Sequence, residues 1–290
     1  MNELLEILDM PFFRRALLAA ALIGFTNGFV SGFILLRRSS LVLSALSHTM
    51  LPGIVAVVLI TGTLNQAGAF TGALLAALAV GLGSIMVTRK TRLPQSTALA
   101  IFYTCAFALG VVMLEYAETA QNLEEWLFGS ILSVGDMDLV VFFGIALFTL
   151  ISSTLFMRPI LLTLFEPNVA AVQGVRVRSV NYLLYAMMII ALMASFQAVG
   201  SVLSIGLMVV PGAIMSLFTN NTRWLFWGGG AIGCIGSVAA VVLSVILNIP
   251  TGPAIVLVLG LLFVIAYFIN PNSGLFRRAQ DQSLHPTHQL

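Results

Sequence analysis

A single histidine lies inside an apolar segment near the start of the chain. Residues 44–53 read SALSHTMLPG, and the histidine is His48. Ser44 lies four residues earlier and shares a helical face with it, and Ser47 lies beside them. An ionisable side chain in a lipid-embedded segment is by default a functional group. We therefore predict that two hydroxyls and one imidazole face a common cavity.

Pro52 adds an oxygen ligand to this group. Proline has no N–H, so the carbonyl of His48, four residues earlier, receives no helical hydrogen bond. Neutral imidazole coordinates zinc, iron and related metals, while carbonyl and hydroxyl oxygens add weaker ligands. The combination predicts transient binding of a divalent metal ion on a transport route. The sequence leaves one alternative open, a structural histidine whose N–H bonds to a neighbouring helix.

Two residues in the second half of the chain are secondary candidates for the same route. Met208 lies on a segment broken by Pro211, where a thioether could line the path of a soft metal, although methionine also fills gaps in apolar cores. Gln197 lies just before Gly200, and a helix break near the middle of the membrane is a common feature of transporter binding sites. An interhelical hydrogen bond is the alternative role for Gln197.

The elements that must position these residues are membrane helices. Hydrophobic residues occupy 59% of the 290 positions and charged residues only 8%, whereas about a quarter of the residues in soluble domains are charged. The apolar surface exceeds what one water-soluble core can bury, so the surrounding solvent is largely lipid. A net charge of +2 also argues against a nucleic-acid partner.

The chain contains eight or nine segments that can cross a bilayer, which requires about 20 mostly apolar residues. The number depends on Gly200, which interrupts a long apolar run. The segments are 14–36, 41–60, 67–88, 97–114, 139–157, 180–198, 201–218, 225–247 and 253–269. We predict an all-α, polytopic bundle of transmembrane helices that forms one domain over 1–290, with a core at 12–270 and a polar, mobile, dispensable tail at 271–290.

The basic residues indicate how the helices are oriented. If all nine segments cross, only Arg14 and Arg15 of the 13 Lys and Arg residues lie on one face, and the other eleven share the opposite face. The positive-inside rule identifies that second face as cytoplasmic. The amino terminus is then outside and the carboxyl terminus inside. The outer face receives an acidic excess, which either concentrates cations at a mouth or is simply tolerated there.

Small residues predict how some of these helices pack. Gly24, Gly28 and Gly32 recur at every fourth position, which forms a small-residue ridge that another helix can approach closely. Cys105 and Cys234 have no neighbour at the spacing of a zinc or redox site, and we predict that both are small core residues.

Several short stretches follow one another along residues 14–270, namely 35–38 (LLRR), 45–53 (ALSHTMLPG), 107–110 (FALG), 127–132 (LFGSIL), 197–200 (QAVG) and 250–253 (PTGP). Together they resemble the permease family of zinc, manganese and iron ABC importers. The resemblance implies a multi-pass subunit of an ATP-driven importer that translocates a divalent transition metal ion across the bacterial inner membrane. It also implies that the metal is cargo and that no cofactor is bound permanently.

The same resemblance implies several protein partners. They are a cytoplasmic ATP-binding subunit, an extracytoplasmic metal-binding protein that delivers the ion, and a second permease subunit, as in a homodimer. The chain contains no G-x-x-x-x-G-K-[ST] motif, so we expect a transport subunit and not an enzyme, with ATP hydrolysis on a separate chain. Residues 165–175 resemble the cytoplasmic segment that docks on the ATPase, and its candidate coupling residues are Phe165, Glu166, Gly174 and Val175.

Two positions depart from the family pattern. The family usually has an aspartate four residues before its histidine and another near the fourth span, and these places are Ser44 and Ser96 here. The loss of two anionic groups implies different metal selectivity, looser binding, or a substrate that is not a bare ion. His48 is the pathway residue that carries over from the family.

Two other classes of transporter stay open. A permease for a metal chelate, such as a siderophore or cobalamin, would have a wide and mostly uncharged cavity, which the lost aspartates would suit. An ion-coupled secondary transporter would need carboxylates within its spans, and the nine segments contain none. A membrane-embedded enzyme is disfavoured because a lone histidine supplies no acid–base or metal constellation.

Overall fold

The computed structural model describes residues 10–37, 40–62, 66–116, 129, 131–200 and 203–270. These residues form ten α-helices and a short 3-10 helix at Ile131–Ser133, and they include no β-strand. The helices are α1 (Pro11–Arg37), α2 (Ser40–Thr61), α3 (Gln66–Lys90), α4 (Gln95–Leu114), α5 (Asp136–Phe165), α6 (Pro167–Val172), α7 (Val177–Val199), α8 (Ser204–Phe218), α9 (Thr222–Leu247) and α10 (Thr251–Ile269). The all-α architecture predicted from the sequence is confirmed. The tail predicted at 271–290 lies outside the described residues.

Nine of these helices correspond to the nine apolar segments. Seven helices in the described ranges are long and apolar enough to cross a membrane, and α2 and α8 contribute shorter apolar stretches. All 22 residues of α2 together reach about 33 Å at roughly 1.5 Å per residue, whereas the 15 residues of α8 reach only about 22 Å. The tenth helix, α6, is a short element between α5 and α7.

The chain breaks between α7 and α8 at Gly200. The backbone of Gly200 has φ 92° and ψ 161°, a conformation that glycine adopts readily because it has no Cβ. Gly129 packs closely here, since a Cβ added to it would overlap the backbone of Val199 and Gly200. The long apolar run is therefore two helices, and the first ends at the glycine.

Contacts between helix ends define the directions of the helices. Arg15 at the start of α1 forms an ion pair with Asp136 at the start of α5, with 2.7 Å between Nε and Oδ1. Arg37 at the end of α1 donates a hydrogen bond to Oδ1 of Asn181, near the start of α7, at 3.1 Å. We name the end of the bundle at Asp136 the acidic end and the end at Arg37 the basic end. Thus α1 and α5 run from the acidic to the basic end, and α7 returns.

The glycine ridge of α1 packs against α9, as a small-residue ridge predicts. A Cβ added at Gly24 would overlap the carbonyl of Gly233, and one added at Gly28 would overlap the carbonyl of Gly229. The third glycine of the ridge faces the ring of Phe226. The contacting residues increase in number along α1 and decrease in number along α9, so the two helices are antiparallel. Their backbones touch at the glycines.

The prediction for the cysteines is wrong. Cys105 is exposed on α4, and Cys234 is only partly buried on α9. A helix that is apolar all round carries little sequence signal of which face points inward. Apolar neighbours along the chain therefore could not distinguish a core cysteine from one on the outer surface of the bundle.

Candidate functional site

The helix that carries His48 is held between two neighbours by close backbone approaches. A Cβ added at Gly53 would overlap the carbonyl of Gly72, so α2 and α3 touch there. On the other side, a Cβ added at Gly110 of α4 would lie 2.8 Å from the nitrogen of Pro52. Only glycine fits at such a distance. These contacts set the position of α2, and His48 lies one turn before Pro52 on the side of α4.

The imidazole ring of His48 contacts two aromatic rings of α4. It stacks on Tyr103, with 5.6 Å between centroids and 18° between planes, and it meets Phe107 edge to face at 5.3 Å and 71°. Tyr103 and Phe107 are four residues apart and therefore neighbours on one helical face. Neither residue belongs to the site predicted from the sequence. Their spacing was the available signal, but it does not say which helix they face.

Two polar atoms of this site are buried without a partner. Nδ1 of His48 and the hydroxyl of Ser47 have no hydrogen-bond partner among the residues that the structure describes. Buried polar atoms are nearly always paired with protein or water. A structural histidine would bond to a neighbouring helix through a ring N–H, and Nδ1 makes no such bond to any described residue. The carbonyl of His48 adds a third polar atom, because Pro52 cannot donate to it.

The structure describes the side chains of only some of the other candidate residues. Met208 is fully buried in the main apolar core, the environment in which methionine usually fills gaps. Ser44 and Gln197 lie in α2 and α7, but their side chains are outside the described part of the structure. Ser96 is exposed in the first turn of α4. Within the described ranges, no three His, Cys, Asp or Glu side chains form a metal-binding group.

The segment at 165–175 forms a compact element at the basic end. After α6, Gly174 adopts φ 79°, and its N–H donates to the carbonyl of Ala171 at 3.1 Å. The N–H of Val175 donates to the carbonyl of Ala170 at 2.9 Å. This pair of hydrogen bonds around a left-handed glycine is the Schellman motif, which terminates helices. Gly174 is therefore needed for the shape of the segment.

Apolar side chains of this segment are exposed. Val172 is 90% exposed and Phe165 57% exposed, and Glu166 and Val169 are exposed beside them. Because α5 starts at the acidic end, its last residue Phe165 and all of α6 lie at the basic end. A short helix with exposed apolar groups beyond the bundle is a surface to which a partner can bind.

In the ranges that the structure describes, seven helices long and apolar enough to cross a membrane and two shorter apolar helices define a multi-pass membrane protein. Residues 9–270 match the model of the ABC 3 transport family, and the chain belongs to this family. The resemblance inferred from short stretches of sequence is thus confirmed, as is the role of the chain as a membrane transport subunit.

Individual relatives cover almost the whole chain. It is 35% identical to the manganese transport system membrane protein MntC of Halalkalibacterium halodurans, over 94% of this chain and 92% of the relative. It is 30% identical to the chelated iron transport system membrane protein YfeD of Yersinia pestis, over 93% and 91%. A chain in the structure of PsaBC from Streptococcus pneumoniae in complex with Fab has a TM-score of 0.83 at 28% identity, over 96% of this chain and 99% of that one.

Proposed function

We propose that this chain forms part of the translocation pathway of an ATP-driven importer for divalent manganese or iron in the bacterial inner membrane. The manganese and chelated-iron transport proteins to which it is similar supply the substrate class. The observation that carries the proposal is a pair of buried atoms, Nδ1 of His48 and the hydroxyl of Ser47, which have no partner within the described ranges. Together with the carbonyl of His48, they form a nitrogen and oxygen donor set inside an apolar helix.

This donor set suits transient binding. Imidazole nitrogen coordinates iron and related divalent metals, and hydroxyl and carbonyl oxygens coordinate manganese. None of the three donors carries a negative charge, so the ion is held weakly and can move on. The stack on Tyr103 and the edge-to-face contact with Phe107 fix the plane of the imidazole. The ion therefore meets an oriented nitrogen and does not have to order a free side chain.

In this proposal the two ends of the bundle bind different partner proteins. The basic end carries Arg37, Arg158, Arg176, Arg178 and Arg223, and excess arginine at helix ends favours the cytoplasmic side. We assign an ATP-hydrolysing subunit to this end, bound through the 165–175 segment. A metal-binding protein delivers the ion at the acidic end. A second copy of the chain completes the pathway. In this proposal His48 and Ser47 lie along the pathway, and Ser44, Gln197 and Met208 are further candidates for it.

The function is tested by reconstitution. Proteoliposomes that contain the permease and its ATPase should accumulate ⁵⁴Mn²⁺ or ⁵⁵Fe²⁺ from the loaded binding protein only when ATP is present. Zn²⁺ and a ferric siderophore serve as competitors that distinguish a bare-ion importer from a chelate permease. Uptake driven by an ion gradient without ATP would contradict the proposal, and so would accumulation of the siderophore alone.

A further inference from the structure

An apolar cavity of about 400 Å³ lies between α3 and α7, with α2 and α4 behind it. Its lining includes Leu78, Gly81 and Ile85 of α3 and Tyr182, Tyr185 and Ile189 of α7. Gly81 opens into it, since a Cβ added there would have no atom within 4 Å. The size is that of a typical site for a small organic ligand. The metal site described above does not use this cavity.

The cavity extends from the middle of the bundle towards the basic end. Tyr182 and Tyr185 are five and eight residues from the first residue of α7, which places them roughly 8 and 12 Å from the basic end. Tyrosine is enriched at the boundary between the hydrocarbon and the headgroups of a bilayer. The part of the cavity that the tyrosines line therefore lies among the acyl chains of one leaflet, with the tyrosines towards the headgroups.

A positive charge lies at the wall of this cavity, and no acidic partner contacts it among the residues that the structure describes. Cζ of Arg37 lies 4.2 Å from the centroid of the Tyr185 ring, and its Nη1 donates to the amide oxygen of Asn181 at 3.1 Å. Both partners are neutral. The five helices α1, α2, α3, α4 and α7 contain no Asp or Glu. Lys90 at the end of α3 and Arg178 at the start of α7 also lie at the basic end.

We propose that this cavity, called the α3–α7 cleft below, is a binding site for an anionic phospholipid. One acyl chain lies between α3 and α7, and the phosphate lies at Arg37. Basic pockets between transmembrane helices bind acidic lipid headgroups in this way. Arg37 is held in place by Asn181 and Tyr185 before any lipid arrives. The lipid fills a gap where α3 and α7 do not pack, so it stabilises the bundle.

The test uses the purified, delipidated full-length chain in detergent. Phosphatidylglycerol and phosphatidylcholine with identical acyl chains are titrated in turn, and thermal unfolding and the number of bound lipids by native mass spectrometry are recorded. A ligand that binds only the folded state raises the unfolding temperature in a saturable manner. We expect phosphatidylglycerol to raise Tm by several degrees, with at least fivefold tighter binding than phosphatidylcholine.

Two variants separate the parts of the site. Gly81→Phe fills the cleft and should abolish saturable binding of both lipids, whereas Gly144→Phe, at an open position on α5, should leave it unchanged. Arg37→Gln should remove the preference for phosphatidylglycerol, and Arg37→Lys should retain most of it. Equal affinity for the two lipids, or binding unaffected by Gly81→Phe, would overturn the proposal. A disulfide between two copies of Leu78→Cys would also overturn it, because a second chain would then cover the cleft.

Discussion

The imidazole of His48 on α2 is stacked on the ring of Tyr103 on α4, with 5.6 Å between the ring centroids and 18° between the planes. The stack covers a face of the imidazole and leaves its nitrogen-bearing edge for other contacts. Nδ1 on that edge is buried and has no partner in the described part of the chain. Orientation by an aromatic neighbour, with no hydrogen bond at Nδ1 to any described residue, suits the transient metal ligand that we propose.

In the proposed pathway, the stack makes Tyr103 a positioning residue for His48. Tyr103→Leu should lower metal uptake about three- to tenfold, mainly through a higher KM, because the imidazole loses its fixed plane. Tyr103→Phe keeps the ring and should transport at close to the wild-type rate. Initial rates in proteoliposomes at several metal concentrations measure both constants. Thr104→Val, at the exposed neighbouring position, is the control, and equal losses in Tyr103→Phe and Tyr103→Leu would show that the hydroxyl and not the stack matters.

The contact between α1 and α9 should be among the least tolerant in the bundle. Gly28→Val would drive a side chain into the carbonyl of Gly229, and overpacking of this kind costs about 1–3 kcal/mol. We expect a clear fall in unfolding temperature and in the yield of folded protein. The matched control is Gly144→Val, which meets open space. A stability equal to wild type in both variants would contradict the close packing of these helices.

The sequence predicted much of this fold because membrane helices have a strong local signal. Nine apolar segments, the ridge at Gly28 and the break at Gly200 all depend on residues near one another in the chain. The exposure of Cys105 and the contact of His48 with Tyr103 depend on which faces of α2 and α4 meet. Uniformly apolar helices carry little information about their faces, so this part of the site required the structure.

The left-handed turn at Gly174 should be required for coupling to the ATPase. Gly174→Val forces a β-branched residue to φ 79°, which costs about 1–2 kcal/mol and disrupts the end of α6. We expect metal-stimulated ATP hydrolysis to separate from uptake while the protein remains folded. Gly62→Val is the control, since Gly62 has φ 68° and open space around it but lies at the acidic end. Uncoupling by both variants, or by neither, would contradict a specific role for the 165–175 segment.

Restoring an acid at Ser44 should change selectivity among metals. A carboxylate one helical turn from His48 adds a charged oxygen ligand, so Ser44→Asp should bind divalent ions more tightly and release them more slowly. We expect a lower KM and a lower maximal rate for manganese. Competition between ⁵⁴Mn²⁺ and unlabelled Fe²⁺ or Zn²⁺ measures the preference, with Ser44→Asn as the uncharged control. Identical competition curves for the two variants would remove Ser44 from the pathway.

The most direct test of the metal pathway is uptake of ⁵⁴Mn²⁺ by His48→Ala and His48→Gln in reconstituted complexes, measured beside their unfolding temperatures. Both replacements remove the imidazole nitrogens, and neither adds a side chain larger than histidine to α2. Uptake should fall at least tenfold in both variants, while assembly and unfolding temperature stay close to wild type. Wild-type uptake in both variants, or a loss of uptake that follows the loss of stability, would contradict a role for His48 as a metal ligand.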